Sequence, residues 1–130
     1  MRYRVVRIKR ISREFVRANR DRIFLFGDNL VGQGFGGQAA AMRGEPNCVG
    51  IPTKKFPSSR HGAFFTDLEF EQNKAAIDHA FDLLFHKISK AEQTIVFPAG
   101  GLGTGRAQLE SRAPQTFAYL QKCLRDLSHK

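Results

Sequence analysis

The chain has 130 residues, 42% of them hydrophobic, with two cysteines and a formal net charge of +9. That is enough chain for one domain with a real core. It excludes a membrane span, because no apolar run approaches the roughly 18–20 residues required, and a disulfide framework, because Cys48 and Cys123 are too few. No secretory signal core follows Met1 and no Cys/His cluster has zinc spacing, so a cytoplasmic protein with reduced thiols, no metal and no cofactor is expected.

The charge is uneven. Residues 2–22 carry nine Arg or Lys (Arg2, Arg4, Arg7, Lys9, Arg10, Arg13, Arg17, Arg20, Arg22) against Glu14 and Asp21, a local +7 that leaves +2 for the remainder. A basic patch attracts polyanions, so nucleic acid is one partner reading. The other is a solvated face, favoured because no aromatics interleave the charges as single-strand binders show.

In chain order, Arg2 to Arg10 sets Val5, Val6 and Ile8 among charges and reads as a strand at a sheet edge. Ser12 caps a short helix over Arg13–Asn19, with Phe15 and Val16 inward. Ile23 to Phe26 is a continuous apolar run and reads as a strand buried on both faces. It breaks into a turn at Gly27-Asp28-Asn29 and then a loop with Gly32, Gly34, Gly36 and Gly37. A helix is expected from about Gly36 to Arg43, stopped by Gly44 and Pro46.

Asn47 to Ile51 is the third strand, and Pro52 and Pro57 forbid regular structure after it. Ser58 to Phe65 is a loop. Thr66-Asp-Leu-Glu69 matches a capping box for a helix carrying Phe70, Ile77, Phe81, Leu84 and Ile88 on one stripe. Gln93–Phe97 is the fourth strand. A second glycine loop, Pro98-Ala-Gly-Gly-Leu-Gly-Thr-Gly-Arg106, follows. Ser111 caps a last helix with Pro114 in its first turn and Phe117, Leu120, Leu124 and Leu127 inward. Alternation of this kind predicts a three-layer α/β/α sandwich with a mostly parallel sheet in one domain, and ligands at the carboxyl ends of its strands.

Both glycine loops leave such ends. Glycines let the backbone approach a ligand, and the unpaired amides suit an anion, so the pair suggests one cleft gripping a phosphorylated ligand from two sides. Neither loop is a P-loop, since no Gly-Lys-Ser/Thr follows, and no acidic residue near position 51 completes a dinucleotide fingerprint.

Three ordered segments resemble macrodomains, the ADP-ribose-binding fold, in the branch of the terminal ADP-ribose protein glycohydrolase and the DarG antitoxin. Gly32-Gln-Gly-Phe-Gly-Gly-Gln-Ala39 is similar to its first glycine loop, Gly50-Ile-Pro-Thr-Lys54 to its strand ending in a Thr-Lys step, and Pro98 to Gln108 to its second phosphate loop. The resemblance spans residues 23–127 and implies binding of ADP-ribose and its removal from a modified protein or nucleic acid. It implies that Lys54 is the nucleophile at the anomeric carbon, its amine tuned by Lys55 and Arg106. Gly34, Gly36 and Gly37, with Gly101, Leu102, Gly103, Thr104 and Gly105, would hold the diphosphate through backbone amides, and Gln38 and Arg106 would be further ligand-binding residues. Thr53 would approach the distal ribose, and Asp28 and Asn29 would orient ribose or adenine.

One departure stands out: the glycohydrolase carries an acidic residue where this chain has Gly105. Asp28 could replace it in acid/base work, or could be a turn-former bonded to its own backbone. Without that acid the chain could be a binding module only. The Gly-Gly-x-Gly-Thr of the second loop also resembles cytokinin-activating phosphoribohydrolases, but Arg106 stands where that family has its catalytic Glu. Arg43 and Arg112 could reach phosphates or sit in solvent. Phe56, Phe64 and Phe65 could flank the cleft or close the core. His61 could touch a ribose or sit solvated in its loop, and His79, His86 and His129 read as surface or boundary residues.

Overall fold

The computed structural model describes residues 3–88 and 93–128, so Arg2 and His129 lie outside the described residues. Its strands are β1 (Arg4–Ile8), β2 (Ile23–Asn29), β3 (Cys48–Lys54) and β4 (Thr94–Pro98). They form a four-stranded sheet in the order β1-β4-β2-β3, with every pairing parallel. Its helices are α1 (Arg13–Ala18), α2 (Ala39–Met42), α3 (Phe70–Lys87), α4 (Leu109–Arg112) and α5 (Pro114–Asp126).

Strand alternation sorts the core into two layers. Ile23 and Leu25 of β2, Val49 and Ile51 of β3, and Ile95 and Phe97 of β4 face α3 and α5, meeting Ile77, Phe81, Leu84, Leu120 and Leu124. Phe24, Phe26, Cys48 and Val96 face the other way, against Val16 of α1 and Ala39 and Met42 of α2. The expected three-layer α/β/α arrangement is therefore present, and no helix among the described residues is long and apolar enough to cross a membrane.

Several local expectations need correction. β2 does not turn at Gly27 but pairs on through Asn29, because β3 continues beside it (Gly27↔Ile51, Asp28↔Pro52, Asn29↔Lys54). Pro52 lies inside β3 rather than ending it. β3 is an edge strand, where a missing N–H need not cost a ladder bond. The register slips between Asp28 and Asn29, leaving Thr53 as the extra residue, buried, with its Oγ1 donating to the Asp28 carbonyl at 3.1 Å. The helix expected from Gly36 is only the single turn Ala39–Met42, since Gly37 sits at φ +59° in the left-handed region.

The helix ends differ too. Ser12 caps α1 as expected, its Oγ accepting from Phe15 N at 3.0 Å. Thr66 makes no side-chain cap, and Glu69 pairs with Lys55 at 2.6 Å instead of reaching back. Ser111 lies within α4 and does not cap α5. Asp67 does so from a distance, accepting from Gln115 N at 2.8 Å, Thr116 N at 3.1 Å and Thr116 Oγ1 at 3.0 Å.

Candidate functional site

Because β2 and β4 are parallel neighbours, the loops after them emerge side by side, and the C-terminal end of β3 lies next to β2. These segments enclose a cavity of about 860 Å³. Asp28, Asn29, Gly34, Gly36, Gly37, Gln38, Thr53, Lys54, Gly103, Gly105 and Arg106, all singled out in the sequence, line it. Gly101, Leu102 and Thr104 do not line it. Leu102 is fully buried in the core, Gly101 offers its carbonyl to Gln38, and Thr104 Oγ1 donates to Gly100 O at 2.8 Å. These three shape the second loop.

Gln38 joins the two loops. Its Oε1 accepts from Gly27 N at 2.7 Å and its Nε2 donates to Gly101 O at 3.0 Å, so both ends of the amide are used for construction. Gly103 sits where the second loop meets β3 and α4, with φ +76°; a Cβ there would meet Leu109 Cδ2 at 3.0 Å and Thr53 Cγ2 at 3.2 Å.

Arg43 organises the first loop. It donates to Asp28 Oδ1 at 2.5 Å and Oδ2 at 3.2 Å, and to the carbonyls of Gly34 at 2.6 Å and Gln33 at 3.2 Å. Asn29 holds the same turn, donating to Gln33 O at 2.8 Å and accepting from Val31 N at 3.1 Å. Asp28 also accepts from Asn29 N at 2.7 Å, as a turn-former would, so its carboxylate is committed to local partners. Beyond these pins, among the described residues, the amides of Gly36 and Gly37 find no acceptor within the chain, nor do those of Gly103, Gly105 and Arg106. Successive free N–H groups of this kind make an anion-binding concavity.

Lys54 Nζ donates to Ser58 O at 2.6 Å and lies 4.8 Å from the Phe64 ring centre, half-buried rather than in bulk water. Burial, then the positive charges of Arg106 and Arg112, hold its amine below the ordinary lysine range. The expected role of Lys55 is not met, since it is spent on Glu69. Arg112 takes that place, its guanidinium 3.7 Å from the Phe64 ring centre. Arg43, Lys54, Arg106 and Arg112 thus line the cavity against one acidic residue, Asp28.

Phe64 is buried beside the cavity, Phe65 is core, and Phe56 and His61 are exposed outside the lining. Phe35, Gln33, Pro57, Ser58 and Gln108 line the cavity without having been marked in the sequence analysis as ligand contacts. The glycine-flanked Phe35 was the one legible signal among them.

The basic segment is not a uniform face. Arg13, Arg17 and Arg20 converge on Glu45 at 2.6, 3.0 and 2.8 Å. Their guanidiniums, Arg13 and Arg20 foremost, hold the Glu45 carboxyl at about 2. Arg13 also donates to the carbonyls of Arg43 and Ala40, bracing the end of α2.

A family model described as a family of unknown function (DUF7831) matches residues 6–123. No curated protein and no solved structure matches the chain.

Proposed function

We infer, for a chain that belongs to the DUF7831 family, that it binds ADP-ribose or a closely related nucleotide derivative and releases ADP-ribose from a modified protein or nucleic acid. The observation that carries the binding half is convergence: two glycine loops from adjacent parallel strands share one cavity lined by four cations and one carboxylate. Free loop amides and guanidiniums suit a pyrophosphate, which carries concentrated charge and many acceptor oxygens.

The hydrolytic half rests on Lys54. An amine disfavoured in its charged form is available as a nucleophile at lower pH than an exposed lysine. It attacks the anomeric carbon; the C–N bond forms as the bond to the leaving carboxylate or base breaks, and water then displaces the amine.

A second reading, binding without turnover, is favoured by one observation. Asp28 is the sole acidic residue in the lining, and its carboxylate is held by Arg43 and by Asn29 N. Calorimetry with ADP-ribose, NAD and AMP in parallel tests the binding half. ADP-ribose is expected to bind and AMP not to; equal affinity for AMP removes the distal ribose from the site. Turnover on an ADP-ribosylated peptide and oligonucleotide then separates the two readings. Loss of turnover in Lys54→Ala with affinity retained identifies an enzyme, and no turnover in either protein identifies a binding module.

A further inference from the structure

The first loop is fixed on both sides of a short arc. Arg43 and Asn29 hold Gln33, Arg43 also holds Gly34, and Gln38 is tied to Gly27 and Gly101. Gly34 sits against Pro57, where a Cβ would lie 3.2 Å from Pro57 Cβ, and Arg106 Nη1 rests on Gly36, 2.6 Å from where a Cβ would be. Between these fixed points stands Phe35, on the cavity wall and 65% exposed.

Two aromatic side chains line the cavity. Phe64 is buried and carries Lys54 and Arg112 over its ring, so it offers little free π-surface. Phe35 makes no ring or cation contact among the described residues. A large apolar ring between glycines, on the wall of a polar cationic cavity, buries little for folding and leaves most of its surface open. We propose that Phe35 is a specificity-determining residue that stacks on the planar base of a nucleoside-diphosphate ligand, selecting nucleotides over bare diphosphates. This rests on the reading that the cavity takes a diphosphate.

The test is calorimetry of wild type, Phe35→Ala and Phe35→Leu with ADP-ribose and with inorganic pyrophosphate. Losing one stacked base is expected to weaken ADP-ribose binding by roughly 5- to 150-fold. Pyrophosphate affinity stays unchanged, and Phe35→Leu, which keeps apolar area without a π-face, falls between. A change below about twofold for ADP-ribose, as when Phe35 serves a protein partner, overturns the proposal while leaving the cavity reading intact. So does an equal loss for both ligands, which makes Phe35 a shaper of the loop. Pyrophosphate and ADP-ribose both failing to bind wild type overturns the cavity reading and this proposal with it.

Discussion

Gly50→Ala tests whether the first loop is set by the Asp28–Arg43 pair. The Asp28 side chain packs over Gly50 so closely that an added Cβ would stand 2.4 Å from Asp28 Oδ2, 2.8 Å from its Cβ and 2.9 Å from its Cγ. The Asp28 Cβ is anchored to β2, so it cannot swing aside as a flexible side-chain end could. Gly50 itself has no left-handed φ, so the strain is steric alone. Overpacking of this kind costs about 1–3 kcal/mol. At roughly 2.1 cal/mol/K of unfolding entropy per residue, over 130 residues, the melting temperature falls by about 4–11 °C. Displacing Asp28 releases Arg43, and with it the Gln33 and Gly34 carbonyls, so ADP-ribose affinity falls in the same variant. Gly62→Ala is the control: nothing lies within 4 Å of its Cβ position, and its melting temperature stays within about 2 °C. Differential scanning fluorimetry with calorimetry reads both. A Gly50→Ala protein that melts within 2 °C of wild type and binds ADP-ribose equally refutes the claim that this pair sets the loop.

Four further outcomes follow from the geometry. The folded Glu45 carboxyl, at about 2, lies below its ordinary 4.5, so its stabilising contribution is present at neutral pH and is lost as pH falls from about 5 through 2; urea midpoints across that window decline for wild type, and Glu45→Gln starts lower and declines less. Asp67→Ala removes the cap of α5 and costs about 1–2 kcal/mol by urea unfolding, whereas Thr66→Ala and Ser111→Ala, which cap nothing, stay near zero. Arg112→Gln lifts a positive charge from Lys54, so the amine titrates at higher pH and the pH profile of its acylation, followed by peptide mass spectrometry, shifts alkaline. Gly105→Asp folds with an unchanged melting temperature, since nothing lies within 4 Å of its Cβ position, and on the proposed hydrolytic reading it raises ADP-ribose release by about tenfold or more by supplying an acid/base group.

The sheet was legible because β2 and β4 carry unbroken apolar runs, β1 mixes branched residues with charges, and helical periodicity and glycine separate the strands, signals carried by neighbouring residues. The misses share a different physical origin. Pro52 looks like a strand breaker until β3 is known to lie at the sheet edge, and Thr53 looks ordinary until β2 is laid beside it in slipped register. The cap of α5 comes from Asp67, 48 residues before Gln115, a distance no local motif spans. Lys55 is the neighbour of Lys54 in sequence, yet adjacent residues near a strand end point to opposite sides, and the second cation comes from α4 as Arg112. Asn29 and Gln38 line the cavity, and the bonds that engage their amides in building the loops run to backbone groups that no local motif reveals.

The distribution of basic charge bears on ligand choice more than its total does. Three arginines of the N-terminal segment converge on Glu45, whose single carboxylate offsets one of their three charges and joins α1 to the end of α2, and Arg43, at that end, is turned inward to Asp28. Removing Arg13 therefore loosens the support of the first glycine loop, so a nucleic-acid binding defect in an Arg13 variant says nothing about a basic surface unless Arg4, Lys9 and Arg10, which are exposed, give the same defect. Arg106 and Arg112 are different. Neither has a carboxylate partner among the described residues, both line the cavity, and one of them rests on a glycine that leaves it room. Arg106 is exposed on the cavity rim and the Arg112 guanidinium bonds, among the described residues, only to the neutral Gln108 Oε1 at 2.7 Å, so both leave positive charge beside the free amides for an anion to neutralise. That asymmetry, rather than the overall +9, is the electrostatic ground for a phosphorylated ligand.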